Sequence, residues 1–291
     1  MLSEAPTFVM RALTVDLEDW FHQIDVQTVA DPAGWPSFES RIEANTHCLL
    51  DLFDKAGVRA TFFCLGWVAK TYPLLVREVV ARGHEIGCHS HLHRPIHELD
   101  ESTFRDDLRT ALRYLEDAAS APIRAYRAPG FSLTPSCLWA IPILASEGIT
   151  CDASFFSGRH AHGGFPDHDF QTPFRLRHQG TELIEFPATT LHFGPMTLAP
   201  AGGGYFRILP YAIIRRLLAP RPYVMSYIHP RDIDLEQPIL GDISRWRKFK
   251  ATVGLRGSRS KLAKLIMDEG WAPIGELLDK IALEDYPIVI F

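Results

Sequence analysis

The sequence lacks a basic segment followed by an apolar run near its N-terminus, and it lacks an apolar stretch long enough to cross a bilayer. It also has few cysteines, which show no CxxC spacing: Cys48, Cys64, Cys88, Cys137 and Cys151. Their odd number and their spacing argue against a disulfide framework and against a thiolate zinc site. Together these absences predict a cytoplasmic protein, free or associated with the inner face of the membrane.

A long basic block is missing as well. The chain has 30 Lys and Arg against 35 Asp and Glu, for a net charge of −5, which argues against broad binding to nucleic acid. We interpret the short run RWRKFK (245–250) as a solvated helix face. What the sequence does contain is 46% hydrophobic residues over 291 positions, enough for a sizeable core in one large domain or two small ones.

Short runs of β-branched and aromatic residues alternate with longer segments of helical period. This alternation is typical of a parallel α/β fold. The predicted strands cover residues 11–17, 59–65, 84–89, 123–128, 148–153, 182–188, 223–229 and 286–291. The predicted helices between them cover residues 41–57, 67–83, 102–119 and 136–148. Residues 155–181 interrupt the pattern and are predicted to form a long loop, and residues 241–285 return to a helical pattern.

The stretch HEIGCHSHLHRPIHEL (84–99) holds five of the thirteen histidines of the chain. Two pairs, His89/His93 and His93/His97, have the i, i+4 spacing that lets two imidazoles reach one ion from a single turn. A solvated polar turn would account for the same composition. The segment alone decides neither between the pairs nor for a metal, because a carboxylate ligand must come from elsewhere.

Polar residues also follow the predicted strands, at the point where each strand ends. In a βα barrel these ends meet over one mouth. The residues are Asp16, Glu18, Asp19, His89, His93, Arg127, Asp152 and His229. Such a set suits metal-assisted hydrolysis, in which imidazoles and a carboxylate hold a divalent ion and a second carboxylate takes a proton from water. An arginine can keep that base ionised, and a further histidine can protonate the leaving group.

Seven motifs of the chain are similar to those of one known family. They are VDLEDWFH (15–22), ATFFCLGWVA (60–69), HEIGCHSHLH (84–93), YRAPGFS (126–132), CDAS (151–154), GGGYFR (202–207) and YIHP (227–230). Over nearly its whole length the chain resembles the polysaccharide deacetylases of carbohydrate esterase family 4, the NodB-homology group. Its tail KFKATVGLRGSRSKL (248–262) resembles the extension of the bacterial subgroup found in exopolysaccharide and O-antigen loci.

The resemblance implies an α/β fold, namely a distorted (β/α) barrel of the NodB-homology type. The barrel would cover residues 1–240 of a single structural unit. Residues 241–291 would form a helical C-terminal extension that packs on the barrel and ends in a strand. The family also implies one divalent metal ion, zinc in the first place, with cobalt, nickel and manganese as alternatives.

The resemblance assigns roles to particular residues. Asp16 matches the catalytic base, Arg127 matches the arginine that pairs with it, and His229 matches the acid that protonates the leaving amine. His89 and His93 match the two metal histidines. The third metal ligand is either Glu18 or Asp19, and both remain open at this point. The family usually has the metal aspartate directly after the base, and this chain has a leucine there.

Aromatic and glycine residues near the expected mouth are candidates for substrate binding. Trp20, Phe131 and Tyr205 would suit stacking on a sugar ring, with core packing as the alternative, and the same applies to Phe21 and Phe206. Gly203 and Gly204, with Gly202, would let the backbone approach a ligand, or would form a plain turn.

We therefore expect a metal-dependent N-deacetylase that acts on an amino sugar in polysaccharide or O-antigen biosynthesis. Its partner would be an amino-sugar-containing saccharide or the lipid- or nucleotide-linked precursor of one. Two alternatives remain: a deformylase or other N-deacylase on a linked sugar, and a catalytically degenerate barrel that only binds sugar.

Overall fold

The structure is a computed structural model that describes residues 9–194, 196–268, 270–280 and 282–291. Residues 1–8, which the sequence analysis included in the barrel and in the search for a signal segment, lie outside the described residues. Within these ranges, no helix combines the length and the apolar character needed to span a bilayer.

The strands of the described residues alternate with helices through most of the chain. The strands are β1 Met10–Leu17, β2 Thr61–Cys64, β3 Glu85–Cys88, β4 Ala125–Tyr126, β5 Cys151–Asp152, β6 Phe174–His178, β7 Thr181–Glu185, β8 Leu191–Phe193, β9 Met196–Leu198, β10 Tyr223–Ile228, β11 Trp271–Ala272 and β12 Ile288–Ile290. The helices are α1 Ile42–Ala56, α2 Gly66–Thr71, α3 Pro73–Ala81, α4 Glu101–Ala119, α5 Ala140–Ser146, α6 Gly203–Ile208, α7 Tyr211–Leu218, α8 Arg245–Thr252, α9 Leu255–Ile266 and α10 Ile274–Leu278.

One sheet organises the fold. In the described part of the chain its order is β10-β1-β2-β3-β4-β5-β7-β6-β12, and β11 adds to β1. The strands from β10 to β7 in this order pair in parallel, whereas β6 runs antiparallel to β7. This mainly parallel but mixed sheet, with helices between its strands, confirms the predicted α/β fold of the distorted-barrel type.

The helix boundaries follow local chemistry. Gly57 ends α1 in the left-handed region at φ 65°, where glycine carries no steric penalty. The predicted helix at 67–83 is in fact two helices, because Pro73 disfavours a helical conformation at Tyr72 and is itself favoured at the first position of α3. The N-cap of α4 is Asp100, whose side chain accepts a hydrogen bond from the backbone N of Thr103.

The prediction of a continuous loop at 155–181 was wrong in its last part, which forms β6. The segment FRLRH alternates buried and half-buried positions with a period of two, as a strand does. Arg175 and Arg177 both bind Glu182 on the neighbouring β7, with N–O distances of 2.8 Å. The high Gly, Pro and His content of the preceding residues masked this short pattern.

Residues 241–291 contribute to both the helical layer and the sheet. Helix α9 buries Leu262, Leu265 and Ile266 in the main hydrophobic core. Strands β11 and β12 extend the sheet by pairing with β1 and β6. The domain boundary at residue 240 stays a prediction, and Glu269 and Ile281 of the predicted helical region 241–285 lie outside the described residues.

The centre of the sheet positions the candidate site. Strand β1 lies between β10 and β2, and all but one of its residues are buried. Because these strands are parallel, their carboxyl ends lie along the same edge. The segments that follow β1, β3, β4 and β10 therefore come together there.

Candidate active site

Asp16 and Arg127 form a buried ion pair at the end of β1. Arg127 Nη1 donates to Asp16 Oδ1 at 2.6 Å, and the guanidinium is completely buried. Burial opposes the carboxylate form of Asp16, but the charge of Arg127 and the neighbouring imidazoles outweigh it and lower the pKa of Asp16. Asp16 is therefore an ionised carboxylate at neutral pH.

The surroundings of Arg127 fix its orientation. Its Nη1 also donates to Thr14 Oγ1 at 2.9 Å, and its Nε donates to the backbone carbonyl of Ala153 at 3.2 Å. The guanidinium lies 4.2 Å from the centre of the Phe63 ring and 5.4 Å from that of Phe131. A charge so enclosed by polar and π contacts cannot reorient without breaking several of them.

Glu18, His89 and His93 form a second cluster beside this pair. One ligand atom from each of these residues lies within 4.8 Å of the others, and this is the group of possible metal ligands found among the described residues. Burial lowers the pKa of His89 to about 4, so its imidazole is neutral. Burial opposes the charge of Glu18, but His93 and Arg231 keep the pKa of this carboxyl well below its usual range. The cluster thus offers one carboxylate and at least one neutral imidazole.

His89 is oriented by a hydrogen bond at the ring nitrogen that would not bind the metal. Its Nδ1 lies 2.8 Å from the backbone carbonyl oxygen of Arg127, to which it donates. Its Nε2 is therefore left as the acceptor atom, as in most metal-bound histidines. Glu18 Oε2 finds no aligned hydrogen-bond donor among the described residues, although His93 Nε2 lies only 2.7 Å away.

The segment from His89 to His93 is a loop and not the helical turn that the i, i+4 spacing indicated. Ser90 and His93 both have left-handed backbones, with φ of 68° and 55°. Asp107 of α4 holds the loop by accepting from the backbone N of His91 at 2.7 Å and of Leu92 at 3.2 Å. Asp107 was not predicted from the sequence. Its only signal there is an acidic residue on the side of the next helix that faces the loop.

The other histidines of the segment lie apart from the cluster. The His91 ring stacks on Tyr114, with ring centres 5.8 Å apart and planes at 20°. His97 is exposed. Of the two pairs that the spacing allowed, the structure therefore brings His89 and His93 together with a carboxylate.

Asp19 is turned away from the cluster. Its Oδ1 accepts from the backbone N of Trp20 at 2.8 Å, and its Oδ2 accepts from Ser40 Oγ at 2.6 Å and from the backbone N of Arg41 at 3.1 Å. The expectation that left Asp19 open as a ligand is corrected accordingly: this carboxylate anchors the start of α1. Strand alternation instead directs Glu18 to the side of Asp16.

His229 follows β10 and lies beside Asp16, because β10 is the neighbour of β1 in the sheet, and not on the opposite side of the mouth as expected. Its Nε2 lies 3.7 Å from Asp16 Oδ2 and 3.5 Å from Glu18 Oε1. Its Nδ1 lies 2.9 Å from Asp232 Oδ2, which also accepts from the backbone N of His229. Burial opposes the charged imidazole, but Asp232 outweighs it and raises the pKa of His229. Asp232 was missed, although an acid three residues after a candidate histidine is a visible signal.

Arg207 connects the pair of His229 and Asp232 to the C-terminal part of the chain. Its Nε lies 3.1 Å from Asp232 Oδ1, and its Nη1 and Nη2 donate to the carbonyls of Ala251 and Lys250 at 2.7 and 2.8 Å. The side chain belongs to the motif GGGYFR, which drew attention to its glycines and aromatic rings rather than to its arginine.

Asp152 lies in a separate buried carboxyl pair. It is the register partner of Glu185 on β7, and it accepts from Ser154 Oγ at 2.6 Å. Burial raises the pKa of Asp152, and burial together with the charge of Asp152 raises the pKa of Glu185 well above its usual range. The two carboxyls therefore resist simultaneous ionisation, and both lie within electrostatic reach of Arg127.

Two of the aromatic candidates for sugar stacking are buried. Trp20 packs edge-on against Phe21 and Phe38, and its Nε1 donates to the carbonyl of Glu39 at 2.9 Å. Phe131 covers Arg127 and is buried against Tyr227, with ring centres 5.0 Å apart. These rings belong to the packing of the site, so the stacking role expected for Trp20 and Phe131 is corrected to a structural one.

The glycines and Tyr205 lie on the other side of the mouth. A Cβ at Gly202 would come within 2.4 Å of the Tyr227 ring, so this position requires glycine, and Gly203 adopts φ +53°. Gly204 and Tyr205 are exposed, and Tyr205 Oη donates to the carbonyl of Thr197 at 3.4 Å. Tyr205 therefore keeps a ring face open, whereas Phe206 is buried in the core.

His22 is a further residue that sequence reasoning missed. It is buried among Phe21, Trp35 and Trp67, and its Nδ1 accepts from the backbone N of Asp19 at 2.9 Å. The Nε2 then carries the proton and has no hydrogen-bond partner among the described residues. Burial keeps the pKa of His22 well below its usual range.

The mostly parallel sheet, with carboxylates and imidazoles at one edge, has the fold of solved polysaccharide deacetylases. A crystal structure of a candidate polysaccharide deacetylase from Mycobacterium smegmatis matches 99% of this chain and 96% of its own, with a TM-score of 0.66 and 19% identity. A CE4 family pseudoenzyme from Bacillus anthracis matches 99% of this chain and 71% of its own, with a TM-score of 0.52 and 15% identity. At these identities the likeness shows the fold.

Sequence comparisons match two parts of the chain to known families. Residues 28–142 match the polysaccharide deacetylase family model, and residues 153–279 match a domain of unknown function, DUF3473. A chitooligosaccharide deacetylase from a Bradyrhizobium strain is 29% identical over 99 residues, which are 34% of this chain and 43% of the relative. A peptidoglycan N-acetylglucosamine deacetylase from Bacillus cereus is 30% identical over 82 residues, 28% of this chain and 38% of the relative.

Residues 28–142 therefore match the polysaccharide deacetylase family, and the described chain has the fold of a solved structure named for that activity. The alignments span less than half the length of these two curated relatives.

Proposed function

We propose that the chain is a metal-dependent N-deacetylase that hydrolyses the N-acetyl group of an amino sugar in a saccharide. The observation that carries this proposal is one arrangement of three groups. The cluster of Glu18, His89 and His93 lies beside an ionised Asp16 and a histidine, His229, whose pKa is raised.

The donor set of the cluster fits a divalent ion. One carboxylate oxygen and two imidazole nitrogens are the ligands of many catalytic zinc sites, which leave a further position open for water or substrate. The carbonyl of Arg127 orients His89, and the buried Glu18 Oε2 lies beside His93 Nε2, so both atoms could bind the same ion. Zinc suits this set best, with cobalt, nickel and manganese as alternatives.

Each residue around the cluster has a role in amide hydrolysis. When bound, the ion would polarise the acyl carbonyl and acidify the attacking water. Asp16 takes the proton of that water, and Arg127 keeps Asp16 ionised and aimed by its contact with Oδ1. His229 gives its proton to the departing nitrogen, because an amide anion is too poor a leaving group. Asp232 keeps the ring of His229 in place through Nδ1, which leaves Nε2 facing the site.

The substrate class rests on the relatives. Their names specify chitooligosaccharide and peptidoglycan N-acetylglucosamine, so an N-acetylated amino sugar in a glycan is the best starting substrate. A role in exopolysaccharide or O-antigen biosynthesis, a cytoplasmic location and a lipid- or nucleotide-linked precursor are parts of the same proposal.

A catalytically degenerate barrel is the second candidate, since glutamate replaces the usual metal aspartate and the fold has a pseudoenzyme among its structural neighbours. Zinc-loaded protein should release acetate from an N-acetylglucosamine pentamer, whereas chelator-treated protein and His93→Ala should not. The N-formyl pentamer, assayed in parallel, separates a deacetylase from a deformylase. Binding of the pentamer without release of either acid, with zinc bound, would favour the degenerate barrel.

A further inference from the structure

Exposed apolar side chains are concentrated between Leu235 and Thr252. Leu235, Ile239, Trp246 and Phe249 are between 45% and 65% exposed. The rings of Trp246 and Phe249 stack on each other with centres 5.4 Å apart and planes at 19°. Large apolar groups that cluster on a surface indicate a binding site. We name residues 235–252 the α8 surface.

Cations border this aromatic pair. With about 100° per residue, Arg245, Trp246, Phe249 and Lys250 fall on one side of α8, and all four are exposed. The other two cations of the helix are bound to the protein, since Arg247 Nη1 donates to the carbonyl of Asp25 at 2.8 Å and Lys248 Nζ donates to that of Gly241 at 3.1 Å. The outward side thus combines two aromatic rings with two exposed cationic side chains, Arg245 and Lys250, which have no side-chain partner among the described residues.

The local charge selects the chemistry of a partner. Residues 240–266 contain eight Lys or Arg and one acidic residue, Asp242, in a chain whose net charge is −5. Such a concentration of positive charge attracts an anionic surface and repels a cationic one.

The α8 surface borders the candidate active site. Arg207 binds the carbonyls of Lys250 and Ala251 at the end of α8, and the same side chain contacts Asp232, the partner of His229. At the other end of the helix, Arg247 reaches the segment that precedes α1. The helix is therefore fixed to the acid side of the mouth.

We propose that the α8 surface docks the protein on an anionic lipid bilayer. Aromatic rings rest at the headgroup level with their apolar faces inward, and Lys and Arg beside them contact anionic headgroups. No residue of α8 is buried, so the helix protrudes with its aromatic pair outward. A protruding face suits a planar bilayer better than a single nucleic-acid strand, which is held in a groove.

Docking of this kind would bring the mouth to the membrane surface. A lipid-linked saccharide would then meet the site without leaving the bilayer. This consequence rests on the proposed function, whereas the docking itself does not, because it involves no residue of the catalytic cluster.

Docking is tested by partitioning of the full chain onto vesicles without any saccharide. We expect binding to vesicles of equal parts phosphatidylglycerol and phosphatidylcholine at low salt, weaker binding at high salt, and little binding to phosphatidylcholine alone. Arg245→Glu with Lys250→Glu should reduce partitioning by about 20-fold or more. Trp246→Ala with Phe249→Ala should reduce it by about 10-fold or more, because the apolar insertion is lost.

Leu74 and Arg77 provide a matched control, since both are exposed on α3 and Leu74 is 72% exposed. Leu74→Ala with Arg77→Glu should leave partitioning within about twofold of wild type. All variants should release acetate from a soluble pentamer at the wild-type rate, so failure of docking and failure of the proposed activity are distinguishable. Equal partitioning of wild type and both α8 variants would overturn the proposal. Binding to DNA or to a soluble anionic glycan, but not to vesicles, would overturn it as well.

Discussion

Two pairs of charged residues flank the Glu18, His89 and His93 cluster, and they are built differently. The base arm consists of Asp16 and Arg127, is buried, and pairs a carboxylate with a permanently charged guanidinium. The acid arm consists of His229 and Asp232, with Arg207 in contact with Asp232, and its histidine can gain and lose a proton. The base arm is enclosed by the sheet, whereas the acid arm is connected to α8.

The difference indicates a division of labour. A base that must stay ionised is best held by a group that never titrates. An acid that must gain and lose a proton needs a partner that stabilises its charged form without fixing it. Through Arg207 the acid arm is also connected to the backbone at the end of α8, whereas the side-chain partners of the base arm lie within the sheet and the segments that follow it.

The largest expected effect removes the cluster on which both arms act. His89→Ala and His93→Ala should each abolish stoichiometric zinc binding and with it acetate release, because three ligands are needed for a tight site. Zinc content after dialysis and titration calorimetry measure this. His97→Ala, on an exposed side chain of the same segment, should keep both properties. Zinc retained by His89→Ala would show that the ion binds elsewhere.

The same measurement separates Glu18 from Asp19. Glu18→Gln should weaken zinc binding by about 10-fold or more, since the anionic ligand is lost. Asp19→Asn should bind zinc like the wild type but unfold at a lower temperature, because Asp19 anchors Ser40 and the backbone of Arg41. Weakened zinc binding in Asp19→Asn with wild-type zinc binding in Glu18→Gln would show that Asp19 is the metal ligand.

The second effect concerns the base arm. Asp16→Asn should keep the fold and the zinc but lower kcat by about 10²-fold or more, as expected for a general base. Arg127→Lys should give a smaller loss, because one charge remains but the contacts of the planar guanidinium do not. Release of zinc by Asp16→Asn would show that Asp16 is a metal ligand. The base arm would then be part of the Glu18, His89 and His93 cluster.

Much of the base arm could be predicted from the sequence, and less of the acid arm. Asp16 and Arg127 end strands, and parallel strand ends converge whatever the loops do. The side chains of Asp232 and Arg207 are in contact although the residues are 25 positions apart in the sequence. No periodicity or spacing in the sequence predicts such a contact. For the same reason burial of Trp20 and Phe131 could not be read from their residue type, which fits a core and a sugar platform equally well.

The third effect weakens the acid arm alone. Asp232→Asn should lower kcat/KM by about 10-fold, because the His229 ring loses the carboxylate that orients it. His229→Gln should lower kcat/KM by more, because the acid itself is absent. Both should bind zinc normally. Asp234→Asn is the matched control, since Asp234 binds Arg41 and Asn45 instead of the site. A wild-type rate for Asp232→Asn and His229→Gln would remove this arm from the reaction.

The smallest effect is on stability, and it separates the arms by the sign of their pH dependence. A raised pKa at His229 means that the folded chain holds a proton that the unfolded chain releases near pH 6.5. The acid arm therefore stabilises the fold fully below pH 6.5 and loses this contribution as the pH rises through the raised pKa. The pKa of Asp16 is lowered, so the contribution of the base arm is present above its ordinary value of 3.8 and stays constant from pH 6.5 to 8.5.

Six other histidines also affect the pH dependence, because burial lowers their pKa values: His22, His84, His89, His91, His160 and His162. These rings are still partly protonated in the unfolded chain at pH 6.5, so they make the stability rise with pH there and oppose the effect of His229. The contribution of the acid arm is therefore the difference in free energy of unfolding between chelator-treated wild type and His229→Gln, measured in urea titrations from pH 6.5 to 8.5. This difference should fall as the pH rises, and it should fall equally in an Arg127→Lys background. A difference that stays constant over this range would show that the acid arm does not titrate, and the contrast between a fixed base and a titrating acid would not hold.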